Sequence, residues 1–108
     1  MPQKKDSLFT IIMEYRGGTY IAQVAAADPE SALQQWAAQI GPIDIAYFSE
    51  ARKEELIDAI DEWLAASQGA AAITGTRNVW CHTQSIGGFQ MLINVVATTK
   101  KVVPARRR

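Results

Sequence analysis

The chain has little of what most metal, redox and nucleophile chemistry requires. It has a single cysteine, Cys81, and a single histidine, His82. One cysteine cannot close an internal disulfide. One Cys and one His fall short of the three or four ligands of a soft-metal site. Neighbours in a strand point to opposite faces, so the pair also fails as nucleophile and base. There is no GxGxxG, GxxxxGK[ST] or GxSxG, so phosphate-cradling loops and the nucleophile elbow are excluded. No EF-hand loop or Glu-x-x-His pair is present either. The longest apolar stretches, around Leu8–Met13 and Met91–Ala97, are far short of the ~18–20 residues that span a bilayer. The basic start is followed by an apolar run broken at Glu14 without a small-residue cleavage site, so no secretory leader is expected and a cytoplasmic location is. No catalytic residue, cofactor or metal is expected.

Net charge is also lacking, but its distribution is informative. Eleven basic and eleven acidic residues cancel over 108 positions. Within residues 8–99 the basic side chains are Arg16, Arg52, Lys53 and Arg77, against ten acidic ones; the two ends carry seven basic residues and only Asp6. The body is therefore acidic and the ends basic. This argues against nucleic-acid binding by the body and leaves only the C-terminal tail for it.

What is present reads as one small domain over residues 8–99, with a flexible N-terminus at 1–7 and a flexible basic tail at 100–108. Apolar residues make up 48% of the chain and charged ones 20%, a globular balance. Leu8–Tyr15 alternates, placing Phe9, Ile11, Met13 and Tyr15 on one face. Gly17-Gly18 then reads as a two-residue hairpin turn, since primed turns need positive φ. That turn pairs Tyr15 with Tyr20, Met13 with Ala22, Ile11 with Val24 and Phe9 with Ala26. Asp28-Pro29-Glu30 opens a helix with a cap, a first-turn proline and a carboxylate at the positive end of the dipole. Gly41-Pro42 ends it. Residues 43–48 fit either a short strand, with Ile43, Ile45 and Tyr47 aligned, or an ordered loop. Ser49 caps a second helix to about Ala66, with Leu56, Ile57, Ile60, Trp63 and Leu64 on its apolar stripe. Residues 70–76 read as a connection. A second hairpin turns at Gly87-Gly88, pairing Trp80 with Val95, His82 with Ile93, Gln84 with Met91 and Ile86 with Phe89. The expected fold is α+β in the order ββααββ: a four-stranded, mostly antiparallel sheet with both helices on one face.

The candidate sites are surfaces. Glu54, Asp58, Asp61 and Glu62 form an acidic stripe, read as a solvated face or one that meets a basic partner. Lys100, Lys101, Arg106, Arg107 and Arg108 form the only basic cluster, suited to an acidic partner or RNA. Arg16-Gly17-Gly18 matches the RGG of RNA-binding tails, but a single copy inside a hairpin is a turn. Trp36, Trp63 and Trp80 read as core. The last strand is apolar on both faces, and helices cover only one, so Val79, Leu92 and Val96 are expected to meet a partner, most simply a second copy.

Residues 8–40 resemble the opening of HicB-like antitoxin domains. The shared pattern is a strand, a tight glycine turn with an aromatic beyond it (Gly18-Thr19-Tyr20), a second strand, and a helix opened by Pro29-Glu30-Ser31-Ala32-Leu33. The family's Pro-x-x-x-Gly stretch is missing, and two helices precede the second hairpin, so no functional residue carries over. The chain as a whole looks like a small bacterial α+β protein. The sequence supports a non-enzymatic, homodimeric interaction module first, and a small antitoxin-like or RNA-contacting regulator using the basic tail second. An enzyme ranks last.

Overall fold

The computed structural model describes residues 7–66, 71–73, 75 and 78–98. Two long hairpins flank two helices. The first hairpin is β1 (Ser7–Tyr15) and β2 (Gly18–Ala26); the helices are α1 (Pro29–Gln39) and α2 (Glu50–Ala65); a two-residue strand β3 (Ala71–Ala72) precedes the second hairpin, β4 (Val79–Ile86) and β5 (Phe89–Thr98). The sheet order is β2-β1-β5-β4-β3, antiparallel throughout. The first and last long strands therefore lie side by side at its centre.

The expected four-stranded sheet is present, and β3 adds a short fifth strand where a bare connection was expected. The second hairpin has the expected register: Trp80 faces Val95, His82 faces Ile93, Gln84 faces Met91, and Ile86 faces Phe89. Gly87 and Gly88 both have positive φ, as a type I′ turn requires.

The first hairpin corrects the expectation. Its turn is Arg16-Gly17, not Gly17-Gly18, with φ of 50° and 89°. Tyr15 therefore pairs with Gly18, Met13 with Tyr20, Ile11 with Ala22 and Phe9 with Val24. Two contacts favour this register. A Cβ on Gly18 would lie 2.5 Å from the Tyr20 hydroxyl, so the bare glycine in the strand makes room for that ring. The Arg16 guanidinium, lifted out of the strand, sits 4.1 Å from the Tyr47 ring centroid and 3.8 Å from that of Phe89, a cation held between two π faces.

Both helices start as their caps dictate. Asp28 Oδ1 accepts from the Ser31 N–H at 2.7 Å and Ser49 Oγ from the Arg52 N–H at 3.3 Å. Residues 43–48 are not a strand. Pro42–Asp44 forms one 3-10 turn, and Tyr47 takes a left-handed φ of 62°. Their apolar side chains do not share a face: Ile45 and Phe48 are buried, Ile43 is 94% exposed and Tyr47 65%.

One core lies between the helices and the inner face of the sheet. It joins Phe9, Ile11, Met13 and Tyr15 of β1 with Met91, Ile93 and Val95 of β5, Leu33 and Trp36 of α1, and Leu56 and Ile60 of α2. Helix α1 lies over β1 and β2, and α2 packs toward β4. The buried Tyr15 hydroxyl donates to the Ile86 carbonyl at 2.8 Å, and the Glu55 carboxylate accepts from the Gly87 N–H at 3.2 Å. These bonds fix the second turn to the core and to α2. Among the described residues no helix is long and apolar enough to cross a membrane.

Candidate interaction surface

The period of two along each strand sends every second side chain away from the helices. Register assembles these outward residues into rows across β2, β1, β5 and β4. One row is Gln23–Thr10–Val96–Val79, the next Ile21–Ile12–Asn94–Cys81, and a third Thr19–Glu14–Leu92–Thr83. Ala25, Leu8 and Thr98 begin a fourth. Among the described residues no element lies over this face. Its central side chains are half-buried by one another, and Ile21 on the outer strand is 68% exposed.

The chemistry of the face is unusual for one left to water. Among the described residues Glu14 is its one charged side chain. The outward side of α2, by contrast, carries Glu54, Asp58, Asp61 and Glu62, all exposed. Depletion of charge is a feature this face shares with interface centres, while its β-branched residues are those that strands favour in any case. The polar groups that remain are short and partly paired: Gln23 Nε2 donates to Thr10 Oγ1 at 2.9 Å and Thr98 Oγ1 to the Leu8 carbonyl at 2.7 Å. Val79, Leu92 and Val96 all lie on this face, with Val79 directly opposite Val96.

The other candidates separate cleanly. Cys81 and His82 sit on opposite faces of β4 as expected. Cys81 is half-buried on the open face. His82 is buried on the inner face, its ring 4.2 Å from that of Trp63, with Nε2 3.2 Å from Gln84 Oε1. Burial beneath Trp63 pulls its pKa below 6.5, and the Gln84 bond opposes that in part. The acidic stripe stays in solvent; Gln34 Nε2 donates to Asp61 Oδ1 at 3.2 Å across the helix pair. Among the described residues no group of His, Cys, Asp and Glu side chains could hold a metal ion. Trp36 is core, while Trp63 and Trp80 are partly buried against it. The basic tail, Lys100, Lys101, Arg106, Arg107 and Arg108, lies outside the described residues.

A second open feature, not visible in the sequence, is the outer edge of β2. Residues flanking a two-residue turn exchange both ladder bonds, and the pattern then alternates. The Tyr15–Gly18 pair therefore sends the backbone groups of Thr19, Ile21, Gln23 and Ala25 away from β1. Among the described residues no strand lies along that edge. Beside it runs a groove of about 410 Å³, lined by Tyr20, Ala22, Trp36, Ile40 and Ile45, with Asp44 at its rim. Strand order decides which strand is an edge, and strand order is not written in local periodicity.

No protein-family model, curated protein or solved structure matches this chain.

Proposed function

We propose that this chain is a non-enzymatic interaction module that packs against a second copy of itself through the open face of its sheet. The observation that carries this reading is the charge-poor, half-apolar face centred on Val79, Leu92 and Val96, with no covering element among the described residues. Four strands about 4.8 Å apart and about eight residues long give a face of roughly 500 Å². Two such faces closed together bury about 1,000 Å², the lower limit for a specific interface. Face-to-face sheets pack about 10 Å apart with their strands within about 30° of alignment. A two-fold axis in the plane between them brings the same rows together from both copies.

The hollows on this face support a binding rather than a catalytic role. They are shallow and lined by Thr19, Thr83, Gln90 and Leu92, with Glu14 on the face and the Arg16-Gly17 turn at one end. The one histidine is on the other side of the sheet. Equilibrium sedimentation of the full chain tests the reading. The expected result is a reversible dimer with a dissociation constant of about micromolar order, given the modest area. A monomer persisting into the millimolar range would overturn it.

A further inference from the structure

We propose that Arg16 is a receptor for a single carboxylate displayed by a partner protein, its guanidinium held ready by the rings of Tyr47 and Phe89. The site lies at the turn end of the sheet and does not rest on the dimer.

Backbone strain marks the place. Among the described residues three positions other than glycine have positive φ: Arg16, Tyr47 and Asn78, at 50°, 62° and 60°. Asparagine tolerates that region, whereas arginine and tyrosine rarely enter it. These two strained residues, from separate segments, meet in one contact, with the guanidinium carbon 4.1 Å from the Tyr47 ring centroid. Strain of this kind gathers at binding sites, where it holds a side chain in place. The two exposed cation–π contacts of Arg16 do no more than offset it, and Asn-Gly would form the same turn without it. A structural staple therefore does not account for an arginine here.

Each part of the clamp is anchored from behind. Both neighbours of Tyr47 are fixed: the Ala46 N–H donates to the Tyr20 hydroxyl at 3.1 Å, and Phe48 is buried edge-on to Tyr15 with ring centroids 6.0 Å apart. Phe89 opens β5 directly after the Gly87-Gly88 turn, whose first N–H is held by the Glu55 carboxylate. The two rings themselves stay open to water, Tyr47 65% exposed and Phe89 46%.

What the clamp leaves free decides the ligand. The rings take the flat faces of the guanidinium, so its N–H donors remain around the rim. Arg16 is exposed, and among the described residues its side chain makes no ion pair or hydrogen bond. Arg52, which lies against Gly87 at the same end, is already paired with Glu55 at 3.3 Å. A planar fork fixed in one orientation matches a planar carboxylate bidentately. Glu14, also exposed, lines the same hollow as Arg16; it repels a second anion and disfavours a phosphate dianion. A small free carboxylate would use the fork and leave both rings in water. A partner segment with apolar residues beside its carboxylate covers the rings as well, and Tyr and Arg are residue types on which protein contacts centre.

NMR titration of the full chain with the peptide acetyl-Ala-Leu-Glu-Leu-Ala-amide tests this. The Arg16 Nε–H and the ring protons of Tyr47 and Phe89 are expected to shift together and saturate, with a dissociation constant of about 1 mM. The same peptide with Gln in place of Glu should bind about tenfold more weakly or worse. Arg16→Asn keeps a residue suited to the turn, so the amide spectrum should stay native while the response is lost. Arg16→Lys keeps the charge without the fork and should weaken binding about tenfold. Inorganic phosphate at the peptide's concentration should leave the titration unchanged. The proposal is overturned if the native chain shows no saturable shift at about 10 mM peptide. It is equally overturned if the Gln peptide binds as tightly, if either Arg16 variant responds as the native chain does, or if phosphate displaces the peptide.

Discussion

Replacing Val96 with Lys should separate association from folding. Val96 is on the open face of a central strand, between Thr10 and Val79. In the isolated chain its side chain is only half-buried. A lysine there can lay its stem along the sheet and keep its ammonium in water, so folding stability should change by no more than about 1 kcal/mol. In a face-to-face pair the same position lies inside the interface. Losing the burial of one Val removes about 1.5 kcal/mol, and an isologous interface counts the loss twice. The sum of about 3 kcal/mol corresponds to at least about a hundredfold weaker association, before the cost of desolvating two ammonium groups. Equilibrium sedimentation gives the constant directly. Cys81, on the same face, gives an independent reading: its alkylation rate in the native chain should fall as concentration rises, and in Val96→Lys it should stay constant. Asp58→Lys, on the exposed side of α2, should leave association unchanged. Native-like dimerisation of Val96→Lys with a concentration-dependent Cys81 rate would refute this use of the face.

Three further outcomes follow from the packing. Leu56→Ala, at a position with no exposed surface, should lower unfolding free energy by about 2–5 kcal/mol in urea titrations. Tyr15→Phe removes the hydroxyl that donates to the Ile86 carbonyl and should cost about 1 kcal/mol, since that carbonyl keeps its ladder partner across the turn; a neutral result would show that bond to be dispensable. Burial beneath Trp63 lowers the pKa of His82 in the fold, while the unfolded chain takes up the proton near pH 6.5. Its contribution is therefore intact above that pH and is lost as pH falls through the folded value. Urea midpoints should drop between pH 7.5 and 5.5 in the native chain and drop less in His82→Phe.

Most of the fold was legible because its local signals agree with its global pattern. Asp28, Pro29 and Ser49 start the helices where cap chemistry requires, and Gly87-Gly88 fixes the second hairpin. The first turn was misplaced for a specific reason. Three residues, Arg16-Gly17-Gly18, offer two turns one step apart. Moving the turn by one step moves each β2 partner by two residues, so the buried set stays on the same face. Hydrophobic alternation is blind to such a shift. What decides is tertiary: the Tyr20 ring over Gly18 and the Arg16 guanidinium between Tyr47 and Phe89. Residues 43–48 alternate by composition, yet Pro42 starts a 3-10 turn there and Tyr47 turns left-handed. The open face was legible from the two-sided apolarity of β5. The free edge of β2 was not, because it depends on β1 pairing with β5 across most of the chain.

That central pairing also sets the order in which the molecule can be assembled. Tyr15 finds Met91, and Leu8 finds Thr98, so the middle of the sheet joins the first of the described strands to the last of them. Until β5 has left the ribosome, β1 has only β2 beside it, and the apolar inner face of that hairpin has half its sheet missing. Contacts so distant in sequence close slowly. A nascent or truncated chain lacking β5 would keep both helix caps and the first hairpin but have no central strand, and would expose an unpaired β1 along its full length.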